Sequence, residues 1–157
     1  MSYTVKIKWS KNVGEVFSDN KYSREHQWVF DGGIEVQASA SPHIVPLPFS
    51  SETAVDPEEA FVASLSSCHM LLFLSIAAER NFVVESYEDN AEGVLGKNGE
   101  GSLAMTKVTL RPRVNFSGTN VPAVAEIDAI HHEAHEKCFI ANSVKTVVLT
   151  EAVYEEI

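Results

Sequence analysis

Two cysteines, Cys68 and Cys138, are the residues of this sequence best suited to nucleophilic or redox chemistry. They lie 70 positions apart, which excludes both a CxxC redox pair and a zinc-finger spacing. In a reducing compartment, two such thiols are either inert buried side chains or a working dithiol. Spacing alone favours inert thiols, so the surrounding residues have to decide between these two roles.

The residues around Cys68 predict a long helix. The segment Asp56–Glu59 (DPEE) is a strong helix start, because it offers a capping aspartate, a proline for the first helical position and a capping-box glutamate. The helix should run from Pro57 to about Arg80, and it is apolar almost all round. Serines and a histidine within Phe61–Ala78 favour a buried core helix over a membrane span.

Cys68 shares one face of this helix with small residues, which would let another helix approach closely. These small residues are Ala60, Ser64 and Ser75, and the apolar residues Phe61, Leu65 and Leu72 flank the cysteine.

A second helix is predicted from about Pro122 to Cys138. Its apolar stripe has members four, three and four residues apart, and Cys138 is the next position on that buried face. The two cysteines meet only if the helices cross near them, and a disulfide needs Cα atoms within about 7 Å. The pattern permits this contact and leaves it open. The stripe consists of Ala123, Ile127, Ile130 and Ala134.

Alternating and apolar segments predict strands, and the irregular stretch Ser39–Asp56 predicts a long loop. With the two helices, they indicate a single α+β domain over residues 1–157. The predicted strands are Tyr3–Trp9, the hairpin of Gln27–Phe30 and Ile34–Ala38 around Asp31–Gly33, Val83–Ala91, Met105–Phe116 and Val144–Tyr154.

Two motifs resemble those of the OsmC/Ohr family, the osmotically inducible and organic hydroperoxide resistance proteins. The segment Val55–Cys68 resembles the family's (N/D)PE(E/Q)–x9–C block, and His135–Lys145 resembles its AHxxCPxSxAL block. The order of strands and helices also matches, so the resemblance spans nearly the whole chain.

The resemblance implies an OsmC-like fold, with antiparallel sheets around two central helices in an intertwined homodimer. It also implies a thiol peroxidase that reduces small organic hydroperoxides without a cofactor or metal. Cys68 would be the peroxidatic cysteine and Cys138 the resolving one, joined as a disulfide that an external lipoyl-type or thioredoxin-like dithiol reduces.

Similar proteins favour the reactive thiolate with an arginine that a glutamate holds. Glu58 matches that glutamate, and Arg24 is the candidate arginine because no other arginine precedes Cys68. In a regular helix, Glu58 lies about 15 Å along the axis from Cys68. Either the other subunit supplies Glu58 or Arg24, or the Arg24 side chain bridges the gap, and we favour a site built at the dimer interface.

The sequence departs from the family pattern in three places. His69 follows the first cysteine, and Phe139 stands where proline usually follows the second. The segment Ser23–His26 replaces the Gly-Arg-Asp-Gly turn of the hydroperoxide-resistance branch. The resemblance therefore determines the type of reaction more firmly than the substrate preference. His69 could polarise the Cys68 thiol, but adjacent helix residues point about 100° apart. His69 is therefore expected to be a packed or surface residue.

Three other functions stay open at this stage. His131, His132, His135 and Cys138 have spacings that metal sites use, although a closed site needs further ligands. A cysteine hydrolase would need a histidine that reaches Cys68. A non-catalytic OsmC-like stress protein would keep the fold without the chemistry.

Charge and the N-terminus narrow the partners and the location. The formal net charge of −10 disfavours nucleic acid and anionic membrane surfaces as partners. The first residues alternate polar positions and lack an apolar signal region. We expect a cytoplasmic protein.

Overall fold

The computed structural model describes residues 1–154, and the chain forms two compact units. The first is Met1–Ala60 and the second is Phe61–Ile157, with the boundary inside the first long helix. The expectation of one domain over residues 1–157 stays a prediction, and its last three residues lie outside the described part.

The first unit contains a three-stranded antiparallel sheet in the order β1-β2-β3. Its hairpin turns at Gly33, whose φ of +84° is a backbone conformation that favours glycine. The predicted strands are confirmed here with ends shifted by one or two residues. The strands are β1 (Val5–Lys8), β2 (His26–Phe30) and β3 (Glu35–Ala38).

The first helix, α1, spans Pro57–Glu79, which confirms its predicted start and places its end one residue early. Its capping box is present: the Glu59 amide donates to the Asp56 carboxylate at 2.7 Å, and the Asp56 amide donates to the Glu59 carboxylate at 3.2 Å. The sequence therefore encodes the position of this helix locally.

The second unit contains two small sheets and the second helix. The β4-β7 sheet is antiparallel, and in the β5-β6-β8 sheet only the β6-β8 pair is parallel. The second helix, α2, is two residues shorter at its start than predicted and ends one residue before Cys138. The bounds are β4 (Val83–Asp89), β5 (Glu92–Lys97), β6 (Leu103–Leu110), β7 (Pro112–Ser117), α2 (Val124–Lys137) and β8 (Val147–Thr150).

The prediction of one strand over Met105–Phe116 is wrong, because this segment contributes β6 and β7 to different sheets. At the break, Pro112 has no N–H for a ladder hydrogen bond. The preceding Arg111 N–H donates to the Asp89 carboxylate at 2.6 Å. The strand β5 was also missed, since its sequence resembles a glycine-rich connection.

Apolar packing joins the two helices to the sheets of the second unit. Phe73 of α1 is fully buried together with Ile130 and Ala134 of α2, and residues of β4 and β7 pack against them. A second cluster joins Leu65 of α1 to Val108 of β6 and other apolar residues. Burial of this surface provides the main stabilisation of the unit.

Two glycines of β5 provide a matched test of how closely this strand packs. A Cβ at Gly93 would lie 2.5 Å from side-chain carbons of Val62 and Met105, whereas one at Gly96 would meet Thr106 at 3.4 Å. We predict that Gly93→Ala lowers the free energy of unfolding by about 1–3 kcal/mol, as overpacking does. Urea denaturation should show a much smaller change for Gly96→Ala, and equal effects would contradict the packing described.

Candidate active site

The two cysteines lie on different helices of the second unit, and the structure brings them together. Cys68 is in the middle of α1, and Cys138 directly follows α2 as its C-terminal capping residue. Both are free thiols. The thiol of Cys68 is close enough to that of Cys138 to raise its pKa. The two thiols are therefore neighbours in the folded chain.

The two thiols differ in their access to solvent. Cys68 is half-buried, whereas Cys138 is 1% exposed. The apolar neighbours expected around Cys68 are buried or half-buried on α1. A small molecule that reaches this site therefore meets Cys68 more readily than Cys138.

A tight turn after α2 holds the Cys138 thiol in place. The Cys138 N–H donates to the His135 carbonyl at 3.2 Å, and the Asn142 N–H donates to the Cys138 carbonyl at 2.9 Å. The Ala141 N–H donates to Sγ itself at 3.4 Å. The backbone of this turn thus fixes the direction of the sulfur.

Burial raises the pKa of the Cys138 thiol, and the neighbouring Cys68 thiol raises it further. The Ala141 amide acts in the opposite direction, because it stabilises the thiolate, but it does not reverse the shift. Cys138 is therefore a protonated thiol at neutral pH.

Arg24 lies in the first unit, where its own segment holds the guanidinium. One terminal nitrogen donates to the carbonyls of Asn20, at 3.0 Å, and Tyr22. The other terminal nitrogen donates to the Asn20 side chain at 2.7 Å, and the group stacks 3.8 Å from the centre of the Tyr22 ring. Among residues 1–154, these contacts use three of its five N–H donors.

Glu58 also lies in the first unit, half-buried in the first turn of α1. The predicted roles of Glu58 and Arg24 at the cysteines stay predictions.

Sequence reasoning missed that His69 and His131 form a buried, hydrogen-bonded pair between α1 and α2. His69 Nε2 and His131 Nδ1 are 3.0 Å apart, and the two residues are 1% and 4% exposed. On α2, His131 is buried whereas His132 is exposed. His131 shares the face of Ala134 and Cys138, and this helical spacing was the available signal.

The structure gives no support to the metal hypothesis within residues 1–154. No group of three or more histidine, cysteine, aspartate or glutamate side chains is arranged there to hold a metal ion.

Comparison with known proteins identifies the family. The sequence matches the family model described as OsmC-like protein over residues 50–152, which includes both cysteines. The chain belongs to the OsmC-like family. A comparison with curated proteins gave no match.

Solved structures share the fold over nearly the whole chain. An OsmC-like protein of unknown function from Vibrio cholerae is 57% identical, with a TM-score of 0.96, covering 98% of this chain and 99% of that one. The organic hydroperoxide resistance protein OhrB of Bacillus subtilis is 20% identical, with a TM-score of 0.65, covering 96% and 98%. An organic hydroperoxide resistance protein from Legionella pneumophila is also 20% identical, with a TM-score of 0.60, covering 96% and 95%. The last two likenesses show the fold, which is the predicted α+β fold with two helices.

The raised pKa of Cys138 predicts how its reactivity depends on pH. Labelling follows the thiolate fraction, and a raised pKa moves the rise of that fraction to higher pH. In a Cys68→Ser variant burial still raises the pKa, so the rate of labelling by a thiol reagent should still be rising steeply at about pH 10, where an ordinary thiol with a pKa of about 8.5 is almost fully ionised. A labelling rate that is half-maximal near pH 8.5, about the ordinary value, and level by about pH 10 would contradict the burial described.

Proposed function

We propose that this protein is a thiol peroxidase that reduces organic hydroperoxides to alcohols. The observation that carries the proposal is the meeting of two free cysteines from separate helices, in a chain of the OsmC-like family. In the proposed cycle, the Cys68 thiolate attacks one peroxide oxygen, the O–O bond breaks, and the alkoxide takes a proton to leave as an alcohol. Cys68 becomes a sulfenic acid.

The second step joins the two cysteines. The Cys138 sulfur attacks the sulfenic acid sulfur, a disulfide forms, and the sulfenic oxygen leaves as water with the Cys138 proton. An external dithiol of the lipoyl or thioredoxin type then reduces the disulfide and is itself oxidised. The burial of Cys138 and its raised pKa support its role as the resolving cysteine, since a protonated buried thiol is a poor first nucleophile.

Arg24 and Glu58 are proposed to favour the Cys68 thiolate. An arginine stays charged at all relevant pH values, and a nearby cation stabilises a thiolate. The contacts of Arg24 to Asn20 and Tyr22 support this role, because they pre-order the guanidinium. Within residues 1–154, these contacts leave two of its N–H donors available for a further acceptor. Glu58 would hold the arginine.

Turnover assays on three variants test the cycle. With cumene hydroperoxide and dihydrolipoamide or thioredoxin, the parent should turn over repeatedly, and Cys68→Ser should be inactive. Cys138→Ser should release one alcohol per chain and stall as a dimedone-reactive sulfenic acid. In the same assay, Arg24→Met should slow sulfenic acid formation by at least about ten-fold, because it removes the cation.

The outcome for each alternative differs. Sustained turnover by Cys138→Ser would exclude the two-thiol cycle, and a hydrolase would tolerate this substitution. No oxidation of either thiol by peroxide would favour a non-catalytic OsmC-like protein.

Hydrogen peroxide should react with Cys68 more slowly than cumene hydroperoxide, because apolar residues flank this cysteine. Equal rates for the two peroxides would contradict the proposed selectivity.

We also propose that the protein is a homodimer that covers the free face of α1. No charged residue occurs between Glu59 and Glu79, yet only 28% of its most apolar 18-residue window is buried within the chain. By length and composition, α1 is the one helix within residues 1–154 that resembles a membrane span. Membership of the OsmC-like family favours a second copy of the chain as its cover. The proposed location is the cytoplasm, where dithiols keep cysteines reduced.

A charge on the free face of α1 should separate the proposed dimer. Leu71 is 61% exposed on that face, and Val121, outside both helices, is 57% exposed. We predict that the parent has twice the chain mass by light scattering and that Leu71→Glu shifts it towards the monomer, because an unpaired charge is costly to bury. Val121→Glu is the matched control and should stay dimeric. A monomeric parent would overturn the proposal.

A further inference from the structure

The buried histidine pair lies between the helices that carry the two cysteines. His69 directly follows Cys68 on α1, and His131 lies two turns before Cys138 on α2. Their rings are nearly parallel, with an angle of 11° and centroids 5.3 Å apart, and the hydrogen bond joins Nε2 to Nδ1 at 3.0 Å. This bond directly connects the two helices inside the core.

Burial lowers the pKa of both histidines to about 4, so both rings are neutral at neutral pH. His135 lowers the pKa of His69 further and Asp89 opposes the shift, while His69 lowers and Asp128 raises that of His131. A bond between neutral imidazoles uses one N–H and one lone pair. The remaining nitrogens, His69 Nδ1 and His131 Nε2, are buried without a partner within residues 1–154.

Such a pair is a costly way to fill a core. Phe73 packs against the His131 ring with centroids 4.3 Å apart, so two phenylalanines would find apolar neighbours here and leave no unpartnered nitrogen. What the histidines add to packing is one bond of fixed length and direction between α1 and α2. By contrast, the contact between Arg80, which directly follows α1, and Glu133 of α2, at 2.6 Å, joins partly exposed side chains.

We propose that His69 and His131 are positioning residues that hold α1 and α2 at the separation needed for disulfide formation between Cys68 and Cys138. This inference rests on the two-thiol cycle proposed above. It assigns the pair to the second step, because a disulfide demands an S–S distance of about 2.05 Å and a narrow range of dihedral angles. Attack of Cys68 on a peroxide needs no such agreement between the helices.

Two double variants separate the bond from the volume of the rings. His69→Phe with His131→Phe keeps two aromatic rings and removes the bond. His69→Gln with His131→Asn keeps an amide atom near each bonding nitrogen, since the glutamine amide reaches the Nε2 position and the asparagine amide the Nδ1 position. If the two histidines only filled space, the phenylalanine variant would perform better than the glutamine–asparagine variant.

The measurement separates the two steps of the cycle. In the phenylalanine variant, sulfenic acid formation should stay within about two-fold of the parent, while disulfide formation slows by at least about ten-fold, because small misplacements of reacting atoms cost large factors in rate. Dimedone trapping and mass spectrometry follow both steps. The glutamine–asparagine variant should recover most of the rate, and disulfide formation at the parent's rate in the phenylalanine variant would overturn the proposal.

A peroxide-free assay keeps this inference separate from the proposed function. Ellman's reagent forms a mixed disulfide at Cys68, and attack by Cys138 then releases a second thionitrobenzoate. The phenylalanine variant should slow the second release but not the first, even if the parent does not react with peroxides. Should that variant fail to fold, His131→Asn should close faster than His131→Ala, and equal closure by these two would refute the role of the bond.

Discussion

The packing of α1 against α2 around Phe73 is the interaction on which the site depends. Cys68 lies on α1 and Cys138 directly follows α2, and the apolar contacts of Phe73 with Ile130 and Ala134 bring these two segments together. The hydrophobic effect supplies most of the free energy for this packing but has little directionality. Polar contacts must therefore determine how the helices align at the cysteines.

The core of the second unit includes buried polar groups, where apolar side chains would stabilise the fold more. Besides the two histidines, Cys138 is buried as a thiol, and the Tyr87 hydroxyl is buried without a partner within residues 1–154. Asp89 connects this region to the sheets, since its carboxylate accepts hydrogen bonds from the Ser66 hydroxyl and the Arg111 amide. Burial of such groups costs free energy. Buried titratable groups of this kind are typical of a functional site.

Local signals predicted the helices better than the strands. The capping box fixes the start of α1 through contacts between residues three apart, so the sequence shows it directly. The division at Pro112 depends on Asp89, which lies more than twenty positions away and replaces the ladder bond of Arg111. The parallel β6-β8 pair likewise depends on long-range pairing that short-range periodicity cannot reveal.

The sequence by itself determined which residues are candidates for the chemistry and which face of each helix they occupy, because motif spacing and helical periodicity are local properties. It placed Cys138 on a buried stripe and Cys68 among apolar residues. Only the tertiary structure decided that the two thiols meet, that Cys138 is the buried one of the pair, and that His69 and His131 bond between the helices. These facts depend on how two helices more than 40 residues apart in sequence pack together, and no local pattern encodes that arrangement.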